Sequence, residues 1–301
     1  EVWSTLDGGK FWNKSGVAAP NTPGTNRMNV AAGSNQLGDL VVIASGWELK
    51  DGGSSDGTKK LVEVLRPWVS LSSDGGKTWK VFKNGFPQAE TGMTQFIPFG
   101  DIIGASDGSL RVLAYAQSLD KAINKVSFFK SDDNGKSWQW VSHISNAEGH
   151  TAFTGGHNET ALFQTGPSNW IAVARRWKAG AAMDLFASKD EGVTWTLERQ
   201  LTDEQQHPGH ITSLANGDLL LTYGNRKEGE FGVAAKFSKD KGETWSKEFI
   251  LIDDLLSRDC GYPSSVQLED GNILTAFYAD GNDSHQRYHM GTIVWKTPKL
   301  P

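Results

Sequence analysis

The sequence predicts an all-β fold, a propeller of four-stranded antiparallel blades, and three observations carry that reading. An octapeptide of the form Ser-x-Asp-x-Gly-x-Thr/Ser-Trp recurs along the chain. Short apolar runs separated by a tight turn precede its copies. Glycine (34 residues) and tryptophan (12 residues) are plentiful in the 301 residues, while long helix-forming runs are missing. A fixed repeat signals a stacked or radial array, and small sheets repeated radially make a propeller.

Four full copies run Ser72 to Trp79, Ser131 to Trp138, Ser188 to Trp195 and Ser238 to Trp245, and a degenerate copy, Thr5 to Trp12, opens the chain. They are roughly 50 to 70 residues apart, a spacing in the range of propeller blades. In each copy the Asp and Ser/Thr side chains can bond nearby backbone amides in a turn. The glycine admits a positive φ, and the tryptophan is an apolar anchor at the start of the next strand. These Asp boxes are therefore read as structural turns joining the third and fourth strands of a blade.

The strands come next. Second strands read Leu40 to Ala44, Leu110 to Tyr115, Trp170 to Ala174, Leu219 to Tyr223 and Ile273 to Phe277. They are short, rich in β-branched or aromatic residues and bounded by turns, as buried strands are. Asp107-Gly108, Asn216-Gly217 and Asp270-Gly271 are hairpin signals just before three of them. Five units follow, over residues 28–84, 95–143, 157–200, 209–250 and 262–296, within a single domain of 1–301. The segment Thr5–Trp12 is expected to complete the last blade; six blades is the alternative count.

Composition excludes several classes. The formal net charge is -5, which argues against a nucleic-acid partner, since phosphate binding needs a basic footprint. No apolar run reaches the roughly 20 residues that span a bilayer. Cys260 is the single cysteine, so no internal disulfide forms. The histidines His157, His207 and His210 lack zinc-type spacing, and neither a metal nor another cofactor is expected. Asn13, Asn158 and Asn282 open Asn-x-Ser/Thr sequons. No secretory leader is visible in the chain, and a monomer is expected.

In a four-stranded meander the boxes share one face with the Asp-Gly hairpins, so ligand chemistry belongs to loops on the opposite face, around the central axis. That rim is rich in chemistry. The first blade brings Arg27, Trp47, Glu48, Asp51 and Asp56; the second Gln95, Tyr115 and Gln117. The third brings His157, Asn158, Glu159, Arg175, Arg176 and Trp177, and the fourth His207, His210 and Arg226. The fifth brings Arg258, Asp259, Tyr262, Tyr278 and Asp280. Arg175 and Arg226 also read as surface ion-pair partners for Asp280 or Glu228, Tyr262 as packing, and Glu159 as a loop brace. His157, His210 and Trp177 are candidate sugar contacts.

With its Asp boxes, the pair Asn158-Glu159 ahead of Ala174-Arg175, and Gly261-Tyr262 ahead of Leu268 to Gly271, the chain resembles the sialidase (neuraminidase) superfamily. The resemblance runs through essentially the whole sequence. It implies Arg27, Arg175 and Arg226 as a grip on a substrate carboxylate, Tyr262 as nucleophile, Glu159 as its partner and Asp51 as acid/base. Arginine suits planar, bidentate recognition of a carboxylate, and a tyrosine needs a neighbouring base to become a nucleophile. Two departures stand out: the first arginine sits in Asn26-Arg27-Met28-Asn29, and Tyr262 precedes a proline. The implied function is an exo-acting glycoside hydrolase releasing a terminal acidic sugar, from a secreted or periplasmic protein. The alternatives are another polysaccharide-active propeller, an exo-arabinanase or a uronate-cleaving lyase using Glu159 with Glu228 or Glu230 or the rim histidines, and a non-catalytic carbohydrate-binding propeller.

Overall fold

The computed structural model describes residues 1–51, 59–145, 155–177, 182–281 and 287–298, and every regular element among them is a strand. Four antiparallel meanders of four strands follow one another. The first holds β3 (Thr25–Ser34), β4 (Leu40–Asp51), β5 (Lys59–Ser72) and β6 (Lys80–Phe82). The second holds β7 (Ile97–Gly104), β8 (Leu110–Gln117), β9 (Asn124–Ser131) and β10 (Gln139–Ser145). The third holds β11 (His157–Gln164), β12 (Trp170–Arg176), β13 (Met183–Ser188) and β14 (Thr196–Gln200). The fourth holds β15 (Gln206–Ser213), β16 (Leu219–Asn225), β17 (Gly232–Ser238) and β18 (Phe249–Ile252). A fifth sheet has three strands, β19 (Cys260–Gln267), β20 (Ile273–Ala279) and β21 (His289–Trp295). The first strands line the axis, and a short parallel ladder, Ala31 to Gly100 through Gly33 to Ile102, zips the first two sheets together.

The octapeptides form the turns their chemistry dictates. In the third sheet Asp190 accepts from the Thr194 amide at 2.9 Å and its hydroxyl at 2.6 Å. Gly192 N donates to Ser188 Oγ at 2.9 Å, and Trp195 Nε1 donates to Gly192 O at 3.0 Å. The other full copies repeat the pattern around Asp74, Asp133 and Asp240. The Thr244 hydroxyl and amide hold Asp240 down to about 2. With its carboxylate so occupied, each box is a closed structural turn.

The core is divided among the interfaces between successive sheets. Trp195, Phe128 and Trp170 fill one of them, with ring centroids 5.6 Å apart from Phe128 to each indole. Box glycines press onto the sheet before them: a Cβ on Gly192 would meet Phe128 Cε1 at 2.2 Å.

The N-terminal segment, expected within the last blade, is a sheet of its own, β1 (Val2–Ser4) paired with β2 (Asn13–Gly16). Its box sits on the fifth sheet as the other boxes sit on the sheets before theirs; a Cβ on Gly9 would lie 2.6 Å from Leu274 Cδ1. That contact sets the hairpin one blade position beyond β21. On its other side a Cβ at Gly16 would fall 2.2 Å from Gly76 O of the first sheet.

Candidate functional site

The axial strands share one irregularity. In every first strand the pairing with the second strand slips, near the upper end between Asn26 and Asn29, His157 and Thr160, Gln206 and Gly209, and Gly261 and Ser264, and further down between Phe99 and Ile103. A bulge re-aims the side chains it frees. The residues inside these five bulges include Arg27, Asp101, Glu159, His207 and Tyr262, so chemistry collects where the ladders break. Tyr262 has φ +48°, a left-handed conformation that is uncommon for a bulky residue and tends to be kept at functional positions.

Two of these residues, Glu159 and Tyr262, form the centre with side chains from the upper ends of two second strands. The Tyr262 hydroxyl donates to Glu159 Oε1 at 2.5 Å. Arg175, near the end of β12, donates to Glu159 Oε2 and lies 3.4 Å from the Tyr262 hydroxyl through Nη1. Arg226, just past β16, sets its guanidinium 5.4 Å from the Tyr262 ring centroid and donates to Cys260 O at 2.9 Å. Phe99 packs edge-on against the same ring, centroids 6.0 Å apart. Tyr262, Glu159, Arg175 and Arg226 are thus brought together across three blades.

The electrostatics follow from this crowding. Burial raises the Tyr262 hydroxyl well above its usual value, and the Glu159 charge adds to that against the pull of Arg175 and Arg226. Burial works against the Arg175 charge, yet Glu159 and the nearby tyrosines raise it overall. Tyr115 is raised by burial and then by Glu159. His207 is lowered to about 2 by burial, then by Arg175, Arg226 and Arg258, so it is a neutral imidazole. Tyr262 is therefore a phenol with a carboxylate acceptor in contact and two cations beside it.

Other expected residues lie elsewhere. Arg27 donates to Ala44 O at 2.9 Å and Arg66 O at 3.1 Å and stacks 3.6 Å over Trp68. These carbonyls lie on its own sheet, so its guanidinium is folded along that sheet and touches neither Arg175 nor Tyr262. His157, 1% exposed, bonds Asp184 at 2.9 Å, and Arg176 grips the same carboxylate, a buried brace of the third sheet. His210 bridges the axis: Ser265 N donates to its Nδ1 at 3.2 Å, leaving Nε2 to donate to Asp101 at 2.9 Å. Trp177 packs against Gly155 and makes no hydrogen bond or ring contact with the central cluster among the described residues. Asp51 ends β4 opposite Lys59, with its side chain outside the described set, and Asp56 lies outside the described residues. Among the described residues Arg175 pairs with Glu159 and Arg226 donates to the Cys260 carbonyl, and neither forms an ion pair with Asp280 or Glu228.

Sequence reasoning passed over Phe99, Asp101, Ser265 and Tyr288. Gly100, inside a strand pattern beside two of them and with φ +80°, was the available sign, since an interior strand glycine marks a bulge.

The comparisons agree with this architecture. A structure from Dyadobacter fermentans, described as a protein of unknown function, superposes with a TM-score of 0.79 at 21% identity, covering 97% of this chain and 82% of that one. A Hadza microbial sialidase gives 0.68 at 16%, covering 97% of this chain and 58% of that chain. The NanB sialidase from Streptococcus pneumoniae gives 0.67 at 13%, covering 98% and 63%. The chain thus spans about three fifths of those two sialidases, and at such identities the likeness concerns the fold. No curated protein matches. The BNR repeat-like domain matches residues 1–275, and with the box geometry described above the chain belongs to the BNR repeat-like family.

Proposed function

We propose that the protein is an exo-acting glycoside hydrolase of sialidase type, releasing a terminal acidic sugar, sialic acid, from glycans. The observation that carries this reading is the 2.5 Å bond from Tyr262 to Glu159, with Arg175 touching both partners. A phenol held above its ordinary pKa is a poor nucleophile until a base takes its proton. Glu159 is in position to do so as the Tyr262 oxygen attacks the anomeric carbon. A neutral nucleophile suits an anionic sugar, the known exception to the two-carboxylate scheme. Arg175 and Arg226 bind the sugar carboxylate and offset the charge developing on the phenolate. Asp51, the acid/base that the resemblance implies, would protonate the leaving oxygen. Such an enzyme would be a secreted or periplasmic monomer working without a cofactor.

Hydrolysis of a fluorogenic aryl sialoside tests the reading. The native protein turns it over, and Tyr262→Phe, with an unchanged melting curve, loses that turnover by a factor on the order of 10⁴ to 10⁶, the scale of removing a nucleophile. No turnover by the native protein removes sialic acid from the account.

A second reading rests on Arg27 being tied to its own sheet and on neutral His207 beside Arg175 and Arg226. Two arginines neutralise the carboxylate of a uronate, neutral His207 takes the proton from the carbon next to it, and the Tyr262 hydroxyl gives its proton to the leaving oxygen, so that β-elimination cleaves the chain. Appearance of an ultraviolet-absorbing unsaturated product from polyuronates favours this reading over hydrolysis.

A further inference from the structure

An aromatic ladder leads from the centre to the surface. The Tyr262 ring lies 5.4 Å from that of Tyr278, and Tyr278 lies 6.3 Å from Tyr288 at an interplanar angle of 30°. Exposure rises along it, and Tyr288 at its outer end is 63% exposed. An exposed tyrosine is ordinary by itself. This one is fixed, because its hydroxyl donates to Asp259 Oδ2 at 2.7 Å while the Tyr278 hydroxyl donates to Oδ1 of the same carboxylate. Arg226 and both hydroxyls outweigh burial and hold Asp259 below the usual carboxylate range. Asp259 is thus an anchoring anion that pins two rings, and a carboxylate has acceptor sites to spare for a further hydroxyl.

We propose that Tyr278 and Tyr288, pinned by Asp259, form a subsite for the neutral pyranose to which the terminal acidic sugar is joined. This rests on the hydrolase reading above. The C–H face of a pyranose is apolar and its edge carries hydroxyls. A fixed aromatic face with an anion at its edge matches both, and rings already held in place lose little freedom on binding. The position matches too, since the ladder starts at the candidate nucleophile and runs outward, the direction in which the leaving part of the substrate must lie.

The test uses two readouts. Lactose, as a neutral probe, is examined by saturation-transfer NMR with the native protein, Tyr288→Ala and Asp259→Asn, each checked by its melting curve. The native protein gives transfer to the sugar ring protons, and both variants weaken it. Kinetically, the KM for a lactose-linked acidic sugar relative to its methyl glycoside rises about fivefold to tenfold in Tyr288→Ala, the scale of one aromatic contact. Undiminished lactose transfer in both variants, or an unchanged KM ratio, overturns the subsite. If the native protein cleaves neither substrate, the hydrolase reading fails, and lactose binding alone decides whether the platform exists.

Discussion

At the scale of single residues the centre holds its groups in their neutral forms over a wider pH range than water would. Tyr262 keeps its proton because burial and Glu159 both oppose the phenolate; His207 stays neutral because burial and three arginines oppose the imidazolium. The His207 case predicts a pH effect. In the unfolded chain His207 titrates near 6.5, whereas in the fold it titrates near 2. Below 6.5 the unfolded chain therefore binds a proton that the folded chain does not. Stability rises with pH wherever the unfolded state holds more protons, so it falls as pH drops through this window, by at most about 1.4 kcal/mol per unit. Urea midpoints measured at about pH 7 and about pH 5 should show a smaller loss in His207→Asn than in the native protein. Equal losses would show that the imidazole takes up its proton in the folded state as readily as in the unfolded one.

At the scale of elements the Asp box is a local unit whose worth depends on where its tryptophan lands. Trp195 is 9% exposed and bonds Gly192 O at 3.0 Å, wedged against Phe128. Trp12 makes the equivalent bond to Gly9 O at 3.1 Å but is 38% exposed. Trp195→Ala should cost about 3–5 kcal/mol, as large core truncations do, and Trp12→Ala well under half of that. Guanidinium denaturation of the two variants checks this; equal losses would mean that the turn hydrogen bond rather than burial sets the value. The same locality explains what could be read from the chain. Boxes and second strands were legible because their hydrogen bonds and apolar runs are close in sequence. The Tyr262, Glu159, Arg175 and Arg226 grouping came from resemblance, since no local pattern joins residues on three blades. Arg27 kept the expected position in the sequence, but its guanidinium found two carbonyls on its own sheet, a choice set by the packed sheet and invisible in the order of residues. His157 shows the same limit: the residue opening β11 bonds Asp184, whereas Glu159, two positions on within the bulge, meets Tyr262 of the fifth sheet.

At the scale of the whole molecule the ring is uneven. β3 packs on β7, β7 on β11, β11 on β15 and β15 on β19, while no comparable packing joins β19 to β3 among the described residues. The β1–β2 hairpin bridges that flank. A cavity of about 510 Å³ lies beside it, lined by Val2, Ala18, Arg27, Val30, Leu40 and Trp79, and Val30, Val266 and Val294 are exposed along the same flank. Stability in repeat architectures is close to a sum of unit and nearest-neighbour terms. Loss of the hairpin should therefore be felt mainly by its two neighbours. Removing residues 1–16 uncovers Leu274 and the Gly76 turn, and amide exchange should quicken in β3, β4 and β19–β21. The amides of β11–β13, two interfaces away on either side, should keep their native rates until global unfolding takes over. A uniform rise across all sheets would instead show that the ring behaves as one cooperative body, with the hairpin as its clasp. A localised rise would make this flank the first part of the protein to open, and Arg27, which lines the cavity there, the candidate site residue most exposed to that opening.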